Sequence, residues 1–360
     1  IMKKIVLTGG GTAGHVTPNI ALLPALQAAG YEIAYVGSYE GIEKKLIADF
    51  NIPYTGISTG KFRRYLDPKN FSDPFRVMKG FVEARNYLKN YQPDVVFSKG
   101  GFVSVPVVRA AASLHIPCII HESDMTPGLA NKLCIPVAEK VCCNFPETMK
   151  NIPADKAVLT GSPIRAELAQ GSRLAGLNMC GFTANKPVIM VIGGSLGAAN
   201  VNKAVRDALP KLLEDFQVVH LCGKDKIDNL LLNTPGYKQF EYIKAELKDI
   251  FAMADVVISR AGANAICELL ALKKPNILIP LPAASSRGDQ LLNAASFEAQ
   301  GYSIVLNEDD ITTNLLVDKV HELYFNRQNY VEAMSRSHQM DAINTIMLLI
   351  NEAANKSHTQ

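Results

Sequence analysis

A short β-rich run, a glycine-rich loop and an amphipathic helix follow one another in that order at two places in this 360-residue chain. The first set is residues 4–8, the loop Gly9-Gly10-Gly11-Thr12-Ala13-Gly14, and a helix expected over 18–29. The second is residues 187–192, the loop Gly193-Gly194-Ser195-Leu196-Gly197, and a helix expected over 198–213. Further strands are expected at 32–36, 95–98, 118–121, 141–144 and 158–160, then at 218–221, 241–243, 256–259 and 277–280. Helical patterns lie at 263–272 and 288–299. Strands separated by helices pair in parallel, because the crossover brings the chain back to the end of the sheet from which it left. The expected class is α/β, with two doubly wound, Rossmann-like parallel sheets facing a cleft. The expected domains are 1–162 and 163–339, with Gly, Ser and Pro recurring near the junction at 161–176. The tail reads as helical from about 310 to 354, and a last helix at about 340–356 is expected to return to the first domain.

Composition narrows the function classes. The chain is 48% hydrophobic and 20% charged, enough to bury two cores and too apolar for disorder. Its longest apolar runs, such as 277–281, fall far short of the ~18 residues of a membrane span. Seven cysteines without a C-x-x-C pair favour neither a disulfide framework nor a structural zinc site, and fit a reducing compartment. A net charge of +3 is too small for a dedicated nucleic-acid binder. No D-x-D pair stands at a strand end in the second half. Asp309-Asp310 reads as a helix N-terminus, so neither a metal nor a cofactor is expected.

The charge is unevenly spread. Residues 1–160 carry 18 Lys and Arg against 13 Asp and Glu, and the stretch 61–91 alone holds eight of those cations against three acids. Within it Phe71, Phe75, Met78 and Val82 recur at i, i+4, i+7 and i+11, one helical stripe. Val77, Phe81, Ala84 and Leu88 make a second stripe beside it. One stripe should pack on the sheet. The other is left over, flanked by Lys61, Arg63, Arg64, Arg76 and Lys79. A cation-rimmed apolar face suits an anionic lipid surface; the alternative is a wide buried helix with a solvated basic rim. The residues expected at such a surface are Phe71, Phe75, Met78, Phe81, Arg76 and Lys79.

Glycines let a backbone turn sharply and approach a ligand closely, and the helix end that follows offers free N–H groups and partial positive charge to a phosphate. The first loop also matches G-x-G-x-x-G, but Gly37 and Ser38 stand where a dinucleotide site has its ribose-binding acid. In the second loop Ser195 adds a hydroxyl donor. A third strand-to-helix turn, Ser259-Arg260-Ala261-Gly262-Ala263-Asn264-Ala265-Ile266-Cys267-Glu268, places Glu268 where it accepts from a ribose, or is simply a helix-surface glutamate. His15 directly follows the first loop and titrates near neutrality, so it is a candidate base or a group that orients acceptor or phosphate. Glu122, at the carboxyl edge of strand 118–121, is the competing base. His121 reads as structural.

Residues 9–15 with Thr17-Pro18, His121-Glu122, Gly161-Ser162-Pro163-Ile164-Arg165, 193–198, 261–268 and Asp289-Gln290 with Asn293 occur in one order. Together they resemble the B-type glycosyltransferases of family 28, and the likeness spans nearly the whole chain. It implies an inverting transferase that moves GlcNAc from UDP-GlcNAc to lipid I, forming lipid II in peptidoglycan synthesis. It implies an acceptor- and membrane-binding first domain and a UDP-GlcNAc-binding second domain. On that likeness Ser195 and Arg165 meet the diphosphate, and Ile243 holds uracil through its backbone. Ala263, Asn264, Ala265, Ile266, Cys267 and Glu268 line the nucleotide, with Glu268 on the ribose. Gln290 contacts the sugar, and Thr12, Ala13 and Gly14 close the first loop. Leu196 and Asp124 depart from the residues usual in the family; a donor contact carried by an amide in relatives falls here on Asp124. The implied partners are UDP-GlcNAc, lipid I, an anionic membrane on its cytoplasmic side and other cell-wall synthesis proteins. Rival readings are a UDP-GlcNAc 2-epimerase of the same architecture, a non-catalytic membrane-docked UDP-GlcNAc sensor and, more distantly, a nicotinamide oxidoreductase.

Overall fold

The computed structural model describes residues 1–60, 69–194, 198–285 and 287–357, with the side chains of 69–72 excepted. Lys61, Arg63, Arg64, Ser195, Leu196 and Gly197 lie outside the described residues, as does the side chain of Phe71. The chain forms two compact units, residues 1–165 with 341–360, and residues 166–340.

The first unit runs β1 (Lys4–Thr8), α1 (Thr17–Ala28), β2 (Glu32–Ser38), α2 (Ile42–Ile47), β3 (Tyr54–Ile57), α3 (Lys69–Tyr91), β4 (Val95–Ser98), α4 (Ser104–Ser113), β5 (Cys118–Glu122), α5 (Leu129–Cys134), β6 (Lys140–Cys143) and β7 (Ala157–Leu159). Its strands make one parallel sheet in the order β3-β2-β1-β4-β5-β6-β7. Strands covered on both faces read as unbroken apolar runs: Ile5, Val6, Leu7, Val95, Val96 and Phe97 are all fully buried. On one face α3 and α4 contribute Ala84, Leu88, Val107 and Val108.

The second unit runs α6 (Arg173–Cys180), β8 (Val188–Ile192), α7 (Ala199–Asp215), β9 (Gln217–Leu221), β10 (Tyr237–Phe240), α8 (Leu247–Met253), β11 (Val256–Ser259), α9 (Ala263–Ala271), β12 (Asn276–Leu278), α10 (Asp289–Ala299), β13 (Ser303–Val305), α11 (Thr313–Phe325) and α12 (Arg327–Ser335). Its parallel sheet has the order β10-β9-β8-β11-β12-β13. Val201, Val205, Leu209 and Leu212 of α7 pack with Leu316, Val320 and Leu323 of α11 in its core, one apolar stripe from each helix.

The last helix, α13 (Ala342–Lys356), belongs to the first unit. Ile346, Met347, Ile350, Ala353 and Ala354 join Leu22, Leu23 and Leu26 of α1 over the second face of that sheet. Burying an aliphatic side chain of this size stabilises by about 1.5–3 kcal/mol. Tyr31 Oη donates to Asn351 Oδ1 at 2.7 Å, and Lys356 pairs with Glu139.

The structure departs from the sequence expectations at the sheet edges. β3 and β13 were not anticipated; they are only four and three residues long, at the outer edge of each sheet. The strand expected at 241–243 lies instead at Tyr237–Phe240. There the polar Gln239 is buried because its Oε1 accepts from Arg206 Nη2 at 2.8 Å and from Asp228 N at 2.9 Å. Hydrophobicity alone gives no sign of a strand whose inward residue is an amide.

His220 of β9 is fully buried between Tyr237 Oη (2.7 Å, Nδ1) and Asn202 Oδ1 (2.8 Å, Nε2). Burial, then the Arg206 guanidinium, push its imidazole down to about 3. Unfolded, that imidazole takes a proton near 6.5. The unfolded state therefore binds more protons than the folded one between about pH 6.5 and 3, and stability falls as pH falls through that window. The urea midpoint should decline more steeply below pH 6.5 for the native chain than for His220→Gln; parallel declines would contradict this.

Candidate functional site

In an open parallel sheet the ligand crevice opens at the carboxyl ends of the strands where the strand order reverses. That point lies between β1 and β4 in the first unit and between β8 and β11 in the second. The glycine loops follow β1 and β8, and the turn 260–262 follows β11, so the topology delivers the sequence motifs to these two places.

In the first unit the loops after β1 and β4 meet backbone to backbone. Gly10 N donates to Gly100 O at 3.2 Å, and a Cβ on Gly101 would stand 2.2 Å from Gly10 O. Gly9, Gly11, Gly100 and Gly101 all have positive φ, which side chains rarely tolerate. Beneath the loop lies a buried carboxylate that the sequence reading missed. Glu43, in the first turn of α2, accepts from Gly11 N (3.2 Å), Ser38 N (2.9 Å) and Ser38 Oγ (2.6 Å). A Cβ on Gly10, Gly37 or Gly41 would stand 2.3–2.7 Å from its side chain. Ser38, in the place of a dinucleotide site's ribose-binding acid, thus serves Glu43. The arrangement puts negative charge under the loop and takes up the Gly11 N–H, which is the opposite of what a dinucleotide's pyrophosphate needs. The only sequence trace of it is the spacing of Gly37 and Gly41 around Ser38.

His15 ends a short 3-10 turn (Ala13–His15), with Thr12 and Ala13 exposed and Gly14 half-buried before it. Its Nδ1 lies 2.9 Å from Gly10 O and 3.2 Å from Thr12 Oγ1. A carbonyl only accepts, so Nδ1 carries the proton and Nε2 the lone pair. Burial, then the Lys99 ammonium, hold the imidazole below its ordinary range, so it is neutral at pH 7. His121 is fully buried on β5, donating Nε2–H to Gly161 O at 2.7 Å, and burial pushes it further down. Glu122 is also buried. Its Oε1 accepts from Asp124 N (2.9 Å), and its Oε2 from Asn131 Nδ2 (2.8 Å) and Gly128 N (3.1 Å). Burial raises its carboxyl although these donors oppose the shift. Both oxygens are thus engaged in shaping the loop 123–128, and Asp124 on that loop is exposed. Arg165 is exposed and closes the first segment of this unit.

In the second unit Gly193 and Gly194 follow β8, Gly194 with positive φ. After β11, the side chain of Gln290 in the first turn of α10 reaches the loop 261–263. Gln290 Oε1 accepts from Ala261 N (3.2 Å) and Leu281 N (3.0 Å), and Asn293 Nδ2 donates to Ala261 O (3.0 Å). With its oxygen so used, Gln290 has its NH2 to offer a ligand. Gly262 caps α9 without a side-chain bond, leaving the N–H groups of Ala263, Asn264 and Ala265 at the open helix end. Ile266 N already donates to Gly262 O, and the side chains of Ile266 and Cys267 are buried. The side chains of these two residues therefore belong to the core. Glu268 is half-buried in the second turn. Ile243 stands half-buried in the loop after β10, two strands from β8. Arg260, unremarked in the sequence, is buried in a 2.6 Å ion pair with Glu308 and donates to Ile279 O at 3.1 Å. It fixes the turn from within.

Along α3 the two stripes separate. Phe75, Met78 and Val82 are 77, 63 and 52% exposed, beside exposed Arg76 and Lys79. Phe81 instead packs against the core with Ala84 and Leu88, so its place among the surface residues is corrected: it lies on the inward stripe. Among the described residues no helix is long and apolar enough to cross a membrane, and no three His, Cys, Asp or Glu side chains gather as a metal cluster.

Comparison with known proteins assigns both units. Residues 5–143 match the glycosyltransferase family 28 N-terminal domain and residues 188–347 the family 28 C-terminal domain. A protein of Lachnospira eligens named as a UDP-N-acetylglucosamine–N-acetylmuramyl-(pentapeptide) pyrophosphoryl-undecaprenol N-acetylglucosamine transferase is 64% identical over 98% of this chain and 99% of its own. The crystal structure of Acinetobacter baumannii MurG superposes with a TM-score of 0.76 at 27% identity, covering 97% of this chain and 99% of that one. A Neisseria meningitidis UDP-GlcNAc 2-epimerase shares the fold, with a TM-score of 0.67 at 14% identity over 98% of this chain and 100% of that one.

The Glu43 arrangement is directly testable. Removing the carboxylate takes the acceptor from the partly buried Gly11 and Ser38 donors, at a cost of about 1–3 kcal/mol. Glu43→Ala should lower unfolding free energy by about that amount and speed hydrogen exchange at the Gly11 amide. An unchanged urea midpoint with unchanged exchange would refute the role.

Proposed function

The chain belongs to glycosyltransferase family 28, and from that premise we propose that it transfers GlcNAc from UDP-GlcNAc to lipid I, the undecaprenyl-pyrophosphoryl N-acetylmuramyl pentapeptide, with inversion, to form lipid II. The observation that carries this reading is the 64% identity, over nearly all of both chains, to a transferase named for that reaction.

The second unit takes the donor. The open N–H groups of Ala263, Asn264 and Ala265, with the partial positive charge of α9, meet the leaving diphosphate. The Ser195 hydroxyl donates to the diphosphate and the Arg165 guanidinium adds positive charge. Glu268 accepts from the ribose, Ile243 holds uracil through its backbone, and the Gln290 NH2 donates to the sugar. In the first unit His15 Nε2 takes the proton of the acceptor hydroxyl as that oxygen forms the new bond to the anomeric carbon and the UDP oxygen leaves. Thr12, Ala13 and Gly14 frame it. Glu122 acts by holding the loop that carries Asp124, since both its oxygens serve that loop already. The chemistry needs no bound cofactor.

The outward stripe of α3 supports peripheral attachment to the cytoplasmic face of the membrane, where the polyprenyl acceptor resides. Phe75, Met78 and Val82 enter the headgroup region while Arg76 and Lys79 meet anionic lipid, each cation contributing about 1 kcal/mol. Contacts with other cell-wall synthesis proteins belong to the same membrane setting.

Turnover of UDP-GlcNAc with a lipid I analogue tests the reaction. Production of UDP-ManNAc from UDP-GlcNAc alone would instead make the chain an epimerase. His15→Ala should keep UDP-GlcNAc affinity by calorimetry and lose about 10²–10⁴-fold in turnover; undiminished turnover would take His15 out of the chemistry. Phe75→Asp with Met78→Asp should abolish flotation with phosphatidylglycerol vesicles at unchanged thermal stability, and flotation equal to the native chain would refute the membrane role.

A further inference from the structure

Lys99 has no part in the reaction as assigned so far, yet its position is unusual. It is the first residue beyond β4, at the point where the strand order of the first unit reverses, and it is 1% exposed. Its N–H donates to Thr8 O at 2.9 Å, which locks its backbone to the end of β1. A Cβ on Gly9 would stand 3.1 Å from Lys99 Cβ, so the side chain starts directly beneath the glycine loop. The ammonium reaches the loop after β5, where it donates to Ser123 Oγ. The next residue, Gly100, has φ +108, and a Cβ there would lie 3.6 Å from His15 Cδ2. Lys99 is therefore held by the ends of β1, β4 and β5, with its neighbour Gly100 beside the His15 ring. Taking an ammonium out of water is costly, and a fold that only needed to fill this space would do so with an apolar side chain.

We propose that Lys99 is a positioning residue for His15: its buried ammonium, tethered to Ser123, disfavours a second charge on the imidazole, so that with Nδ1–H held by Gly10 O the Nε2 stands open as the base. The proposal rests on the assignment of His15 as base. The Lys99 side chain starts at Gly9 and the His15 ring lies beside Gly100, the next residue along the chain, and like charges brought near each other disfavour each other's charged forms. The other charged group that acts on His15 is Glu43 from α2, which favours the charged ring; His121 on β5 is itself held down by burial and by Lys99. Burial and Lys99 together outweigh Glu43, and His15 is held below its ordinary range. The Gly10 carbonyl then decides which nitrogen keeps the remaining proton.

The test is made on the full chain with ¹⁵N-labelled histidine. The His15 signal is assigned by its loss in His15→Gln, and its titration is followed by NMR beside the pH dependence of kcat/KM. Lys99→Met should move the His15 midpoint up by about one pH unit, and the acidic limb of kcat/KM should move with it. Lys99→Arg, which keeps the charge, should leave both in place. Where Lys99→Met does not fold, Lys99→Gln keeps a polar end for the Ser123 hydroxyl and carries the same expectation. A His15 midpoint unmoved in the neutral variant, or moved equally in Lys99→Arg, would overturn the proposal. A midpoint that moves while the acidic limb stays fixed would uphold Lys99 and remove His15 as the base.

Discussion

In each unit the strand order reverses once, and the positions of the glycine loops follow from that reversal. The chain leaves β1 toward β2 and later leaves β4 on the other side, so the loops after these strands part above the sheet. The same happens at β8 and β11. α13 completes the first unit by covering the face on which α1 lies.

A glycine loop has no side chains with which to pack, so it must be held by hydrogen bonds. Buried polar groups meet that need at three places. Glu43 receives the Gly11 and Ser38 donors, Glu122 receives the backbone of Asp124 and Gly128, and Gln290 receives Ala261 and Leu281. Each is buried or partly buried, where a hydrogen bond is stronger and a missing one more costly. The paired Arg260 and Glu308 do the same for the turn after β11. The loops can thus present backbone to a ligand without being loose, as electrostatic stabilisation of a leaving group demands. Lys99 adds a buried cation to the first unit, and His15 and His121 are both held down by it as well as by burial.

Several of these features were legible before any coordinates. The repeated strand–loop–helix pattern gave both sheets, and residues 261–268 were correctly placed at a strand-to-helix turn. The two stripes of α3 were visible from their spacing. Other features were not legible, for identifiable reasons. β10 hides behind Gln239, whose burial depends on Arg206, 33 residues away in the chain. The short edge strands β3 and β13 carry too few residues for a period to show. Phe81 and Phe75 are the same residue type six positions apart, and only the presence of α4 beside α3 makes one core and the other surface.

The order of residues along the chain was enough to specify the class of fold and the location of the glycine loops, because strand and helix periodicity and glycine placement are local properties. Whether a given charge serves ligand or scaffold depended on which distant segments came to lie against it. Glu43, Glu122, Lys99 and Gln290 are ordinary polar residues in the linear text. Their roles arise from donors and charges brought to them by other strands, and such partnerships are energetically decisive only once burial has removed the competing water.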